Sequence, residues 1–249
     1  MTENKAESVK PYNEGAAKKA QVAEMFNNIS GRYDLLNHIL SLNIDKLWRR
    51  KAVRLLAPYK PKHILDVATG TGDFAVELMR LQPEHIRGID ISSGMLEVGK
   101  TKMIRRNLED KITLELGDAE AIDAETDTFE AVTVAFGVRN FENLKLGLQE
   151  INRVLKPGFP LAVLEFSKPR SFPWKQLYNF YFSTILPLIG KTVSKDARAY
   201  TYLPESVKAF PEGSEFMDFL SNAGFKNIRE YRLTFGIATI YIADKSSKA

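Results

Sequence analysis

The segment that most constrains the fold of this chain is Asp66-Val-Ala-Thr-Gly-Thr-Gly72, an apolar run that ends in two closely spaced glycines and leads into a helical pattern. A strand that turns sharply into a helix needs residues without a Cβ where the backbone bends. The same pattern then repeats. Strands are predicted at 63–67, 86–90, 112–116, 131–136 and 160–166, with helices at 72–80, 92–106 and 142–155. Ser92 is placed to cap the second helix, and Lys156-Pro157-Gly158 to stop the third. The 131–136 run is nearly all apolar and rich in β-branched residues, as a strand buried on both faces should be. Such alternation predicts an α/β fold with a doubly wound parallel sheet and helices on both faces.

The two ends depart from that pattern. Residues 1–15 are polar and aperiodic and read as a disordered N-terminus. A helical extension covers 16–60, with helices at 16–28, 34–40 and 44–56; Val22, Met25, Phe26 and Ile29 share one side of the first. An aromatic-rich insert covers 170–210 and is predicted to be helical from 172 to 189. After a helix at 214–223, strands at 227–234 and 237–243 are joined only by Phe235-Gly236. That link is too short for a parallel crossover, so the last two strands are predicted antiparallel neighbours. Residues 16–249 therefore read as a single domain.

Composition excludes several chemistries. The 249 residues contain no Cys, which removes disulfides, thiolate nucleophiles and Cys-ligated metals. His38, His63 and His85 lack metal-ligand spacing, and no metal is expected. The net charge of +4 and pI near 9.0 are only mildly basic. Lys46, Arg49, Arg50, Lys51 and Arg54, and the pair Arg105-Arg106, read as solvated helix faces, and no nucleic-acid partner is expected. No secretory leader is evident, and the most apolar stretch, 177–190, is broken by Pro187 and falls short of the roughly 20 residues of a membrane span. The expected location is the cytoplasm.

The glycine turn itself tolerates two cofactors. Gly70, Thr71 and Gly72, with Ala75, fit a relaxed dinucleotide pattern, so an NAD-dependent oxidoreductase is one reading. Asp66 opposes it, because a carboxylate beside the turn repels a pyrophosphate. The same charge favours S-adenosylmethionine, which carries an ammonium and a sulfonium. Asp90 ends the second strand, where a carboxylate accepts both hydrogen bonds of a ribose diol. Asp118 and Ala119 follow the third strand and are placed to meet an adenine ring by carboxylate and backbone N–H. The plainer roles are a helix cap for Asp118 and a buried strand-end hydrogen bond for Asp66.

Further segments give a closer likeness. Tyr33-Asp34-Leu-Leu-Asn37, Leu47-Trp48-Arg49, Phe136-Gly-Val-Arg-Asn140, Arg153-Val-Leu-Lys-Pro-Gly158, Glu165-Phe166, Tyr200-Thr-Tyr-Leu-Pro-Glu-Ser206 and Leu233-Thr-Phe-Gly236 accompany the 66–73 turn. With them the chain, from about residue 22 to 245, resembles the menaquinone and ubiquinone biosynthesis C-methyltransferases. The resemblance implies a class I S-adenosylmethionine-dependent methyltransferase fold, Rossmann-like, with a seven-stranded mostly parallel sheet and an antiparallel last strand. It implies methylation of a ring carbon on a prenylated hydroquinone, demethylmenaquinol in the leading reading and a ubiquinone-pathway benzoquinol in its nearest rival. Cofactor contacts would fall on Thr71, Asp90, Asp118 and Ala119. Ala135 stands where the family has Ser, and Tyr241 where it often has His.

Ring methylation needs the adjacent hydroxyl to lose its proton, and a phenol-like pKa of about 10 leaves it mostly neutral at physiological pH. Arg139 stays protonated, so it would stabilise the phenolate or orient a water. Asn140 would donate to a ring oxygen, and Tyr33 would contact or cover the ring. An ion pair for Arg139, a helix cap for Asn140 and a core position for Tyr33 are the competing roles. The insert residues Trp174, Leu177, Tyr178, Phe180, Tyr181, Ile185 and Leu188 suit either a prenyl groove or a lid. A peripheral contact with the inner face of the membrane, a homodimer and a non-catalytic scaffold stay open as alternatives.

Overall fold

The computed structural model describes residues 5–12, 15–41, 43–181, 184 and 198–247. Seven strands form one sheet in the order β3-β2-β1-β4-β5-β7-β6. β1 (His63–Val67), β2 (His85–Asp90), β3 (Ile112–Leu116), β4 (Ala131–Ala135) and β5 (Pro160–Phe166) run parallel. β7 (Ala238–Lys245) lies between β5 and β6 (Phe225–Leu233) and is antiparallel to both. The short link after β6 thus leaves the fold a parallel sheet with one reversed strand, as predicted.

Alternate residues of each strand feed two separate cores. Ile64, Ile86, Ile112, Ala131 and Leu164 meet Trp48, Ala52 and Leu56 of α3 (Ile44–Leu56), Phe74 and Leu78 of α4 (Asp73–Leu78), and Leu96 and Met103 of α5 (Ser93–Arg105). Leu65, Val67, Val132, Val134 and Val163 meet Leu148, Ile151 and Val154 of α6 (Leu144–Val154), and Phe216 and Leu220 of α9 (Ser214–Asn222). The period of two along a strand makes this division unavoidable once helices cover both faces. Ser92 caps α5 by accepting from Met95 N.

Several local expectations are corrected. The two helices expected at 16–28 and 34–40 are one, α2 (Lys18–Leu40), which runs through Gly31. Glycine costs a helix interior only about 1 kcal/mol, and packing of α2 against α5 outweighs that. Within the first fifteen residues Lys5–Ser8 forms a helical turn, α1, and Glu7 accepts a hydrogen bond from Leu144 N. Asn143, not Asn140, caps α6. Arg49 is not solvated: it is buried and paired to Asp45 at 2.6 Å. Of the helix expected at 172–189, α7 (Trp174–Phe180) is described, and Ile185 and Leu188 lie outside the described residues. α8 (Arg198–Ala209) carries the Tyr-x-Tyr-Leu-Pro segment.

Candidate active site

One cleft opens at the C-terminal ends of the parallel strands, where such sheets bind their ligands. Gly70, Asp90, Asp118 and Ala119 line one side of it, and Ala135, Phe136, Gly137 and Asn140 another. α2 forms the cover through Lys19, Val22, Phe26 and Tyr33. Sequence reasoning missed the cover: the apolar face of the helix was visible, but nothing local says which cleft it closes.

The glycine turn divides its labour. Gly70 and Gly72 both have left-handed backbones, with φ of 58° and 80°. A Cβ built on Gly70 meets no protein atom within 4 Å, so the residue keeps open space in the cleft wall. A Cβ on Gly72 would come within 2.7 Å of the Met103 side chain, so this glycine admits α5. The Thr71 hydroxyl turns to the cover helix, donating to Asp34 at 2.5 Å and accepting from Lys102 at 3.0 Å.

The acids are held in different ways. Asp90 accepts from Gly70 N and Ser92 N, both at 2.8 Å, one bond per oxygen. A carboxylate has about four acceptor positions, so two remain for a diol. Burial pushes its pKa up, against the backbone amides of Ser92, Gly70 and Ile91. Asp66 is buried behind the turn and accepts from Thr69 and Thr133, both at 2.6 Å. Burial pushes it up to about 6, against the two threonines, with a further rise from the Asp90 charge. Asp118 accepts from Glu120 N and is paired to Lys19 of the cover helix at 2.5 Å.

Beyond β4 the chain folds into a tight turn. Phe136 adopts φ 58°, a left-handed conformation that costs a non-glycine residue roughly 1–2 kcal/mol. Its carbonyl accepts from the Arg139 guanidinium and from Asn140 Nδ2. Arg139 Nη1 also donates to Glu165 Oε1 at 2.7 Å, and both side chains are buried. Asn140 faces the cleft and accepts at Oδ1 from the Tyr202 hydroxyl at 3.1 Å. Lys18 is also buried and donates to the carbonyls of Arg139 and Phe141 at 3.1 and 3.0 Å; burial pulls its pKa down to about 8. Tyr33 packs edge-on against Phe26. Tyr241 is far from this chemistry and accepts from Gly213 N at 2.7 Å. Lys18 carried no sequence signal as a site residue, and Glu165 stood in the Glu165-Phe166 segment of the resemblance without a role, because what marks both is the burial of a charge.

The model of the ubiE/COQ5 methyltransferase family matches residues 14–245. The chain belongs to that family. It is 48% identical over 240 residues to a demethylmenaquinone methyltransferase of Bacteroides fragilis, an alignment covering 96% of this chain and 98% of that one. It is 44% identical to a ubiquinone/menaquinone biosynthesis C-methyltransferase, UbiE, of Geobacter sulfurreducens, covering 93% and 91%. Among solved structures it resembles the [4+2]-cyclase SpnF, with TM-score 0.66, 16% identity and coverage of 92% and 97%. An S-adenosylmethionine-dependent methyltransferase of Thermotoga maritima gives TM-score 0.62 at 19% identity, covering 90% and 99%. Likeness at that distance establishes the fold alone, and a cyclase among the neighbours makes the point. The family makes the chain an enzyme, a methyltransferase that uses S-adenosylmethionine.

The cleft fits that cofactor. Two buried carboxylates beside the glycine turn would repel a pyrophosphate and attract a cation. Asp90 has acceptor positions left for a diol, and Gly70 leaves the space a nucleoside needs.

Proposed function

We propose that this protein methylates a ring carbon of demethylmenaquinol, completing menaquinone. The observation that carries the reading is one cleft lined by Asp90 and Asp118 on one side and by Tyr33, Phe136 and Asn140 on the other. The near-full-length likeness to proteins named demethylmenaquinone methyltransferase supports the naphthoquinol as substrate.

The bound cofactor supplies a methyl group made electrophilic by its sulfonium. In this reading Asp90 holds the ribose diol, Asp118 and the Ala119 amide meet the adenine, and Asp66 lends its charge to the amino-acid end. Gly70, Thr71 and Gly72 shape the turn around it. Asn140 donates to a ring oxygen, Tyr33 closes over the ring, and the Arg139 cation stabilises the phenolate. Asp118 spends one acceptor position on Glu120 N and one on Lys19, which leaves two for the adenine amino group.

A second part of the reading concerns the prenyl tail. Among the described residues no helix is long and apolar enough to cross a membrane. Yet Phe172 (80% exposed), Leu177 (55%) and Phe180 (58%) stand outward beside the stacked Trp174 and Phe235, with Arg170 and Lys175 among them. Apolar side chains flanked by cations suit an anionic bilayer surface. These side chains support the reading of a cytoplasmic enzyme that docks at the inner face of the membrane holding its substrate.

The test is anaerobic methyl transfer by the purified protein to short-chain demethylmenaquinol and to the corresponding benzoquinol. Methylation of the naphthoquinol at a rate at least tenfold higher is expected. Preference for the benzoquinol would move the enzyme to the rival pathway, and transfer to neither would overturn both readings.

A further inference from the structure

Methylation of a quinol ring carbon needs a group that removes the hydroxyl proton, and the residues so far placed at the ring do not supply one. Arg139 stays protonated and Asn140 has no basic atom. His63 and His85 begin their strands at the opposite edge of the sheet. The Asp66 oxygens accept from Thr69 and Thr133, and Asp118 is paired with Lys19.

Glu165 differs from these acids. It ends β5, is 1% exposed, and spends Oε1 on Arg139 Nη1 and Phe166 N. Its Oε2 is buried without a hydrogen-bond partner, and so is Arg139 Nε. One ion pair therefore leaves one buried acceptor and one buried donor unsatisfied, each a desolvation cost until it is matched. A single hydroxyl satisfies both. Neither side chain lines the cleft, but the pair lies against its wall: the Phe136 carbonyl that takes Arg139 also takes Asn140, and both Phe136 and Asn140 line the cleft.

We propose that Glu165 is the proton acceptor of the methyl transfer, with the substrate hydroxyl docked between its Oε2 and Arg139 Nε–H. The hydroxyl O–H bond breaks, its proton forms an O–H bond on Oε2, and the electron pair stays on the ring oxygen, where Arg139 holds it. That charge makes the neighbouring ring carbon nucleophilic. After methylation the ring carbon loses its own proton and Glu165 returns the first to the oxygen, so one proton leaves per turnover. Burial raises the pKa of Glu165, against the pull of Arg139, which suits a carboxylate to this task. The groups that face it with charge are Arg139 beyond β4, the phenols of Tyr178 on α7 and Tyr202 on α8, and Glu212 near Tyr178. Both phenols are pushed well above their ordinary range by burial and stay neutral.

The proposal depends on the quinol reading, so its test includes a measurement without turnover. With S-adenosylhomocysteine present, calorimetry compares 1-naphthol with 1-methoxynaphthalene, which lacks the hydroxyl proton. The protein should prefer 1-naphthol by about tenfold, a preference that Glu165→Gln abolishes and Glu165→Asp keeps. In turnover Glu165→Gln should lower kcat by about 10²–10⁴-fold and erase the acid limb of its pH profile, with S-adenosylhomocysteine affinity within twofold. Should Glu165→Gln strand the Arg139 charge and unfold the protein, the double variant Arg139→Gln/Glu165→Gln removes both charges and must also lose the preference. An unchanged preference and pH profile in Glu165→Gln overturn the proposal while the enzyme's function stands. A wild-type protein that methylates no quinol overturns the underlying reading instead, and the proposal with it.

Discussion

Asp66 illustrates how a single residue is legible in kind and illegible in manner. A carboxylate before a glycine turn was visible in the chain, and its electrostatic preference for a cationic cofactor follows from its charge alone. That both oxygens are taken by Thr69 and Thr133 required the neighbouring strand, since Thr133 is 67 positions away. Its raised pKa has a stability consequence with a definite sign. The group binds its proton more tightly folded than unfolded, so its favourable contribution is complete below about pH 4 and is lost as pH rises through about 6. At neutral pH the buried charge therefore costs stability. Asp66→Asn should make the cofactor-free protein about 1–3 kcal/mol more stable at pH 7 and no more stable at pH 4, by urea unfolding at both. Equal gains at the two values would show that the cost is not one of ionisation. The variant should also bind S-adenosylmethionine more weakly, because the attracting charge is gone.

At the scale of elements, β1, β3 and β5 begin and end where the apolar runs do, because a buried strand writes its limits into local composition. α2 was harder. Gly31 reads as a break, and only the contact with α5 and the cleft decides that one helix spans both sides of it. This helix is fastened at its first residue by Lys18, across 121 positions to the Arg139 carbonyl. Charge-assisted hydrogen bonds of this kind contribute about 1.5–3 kcal/mol each before desolvation is subtracted. Lys18→Ala should weaken α2 locally by about 1–3 kcal/mol, seen as faster amide exchange in 18–40 with the sheet amides unchanged. It should also raise the Kd for S-adenosylhomocysteine several-fold. Uniformly faster exchange throughout the chain would mean that Lys18 supports the whole fold and not the cover.

The described residues present a sheet with helices on both faces, a cleft at one edge and an exposed apolar surface around Phe172, Leu177 and Phe180. If that surface meets the bilayer, the triple variant Phe172→Ser/Leu177→Ser/Phe180→Ser should bind anionic vesicles at least tenfold more weakly, since burying each such side chain is worth about 1.5–3 kcal/mol. Turnover of a tail-less quinol should not change. Unaltered vesicle binding, measured by co-sedimentation, would remove the surface from the account. At this scale the chain by itself determined the fold class, the acids that stand at the strand ends and the reversed last strand. Those features follow from periodicity, loop length and charge, which are local properties. Only the tertiary structure decided that α2 covers the cleft, that Lys19 occupies Asp118, and that Glu165 stands buried against Arg139. Desolvation and the pairing of distant charges depend on what surrounds a side chain, and no stretch of sequence contains its own surroundings.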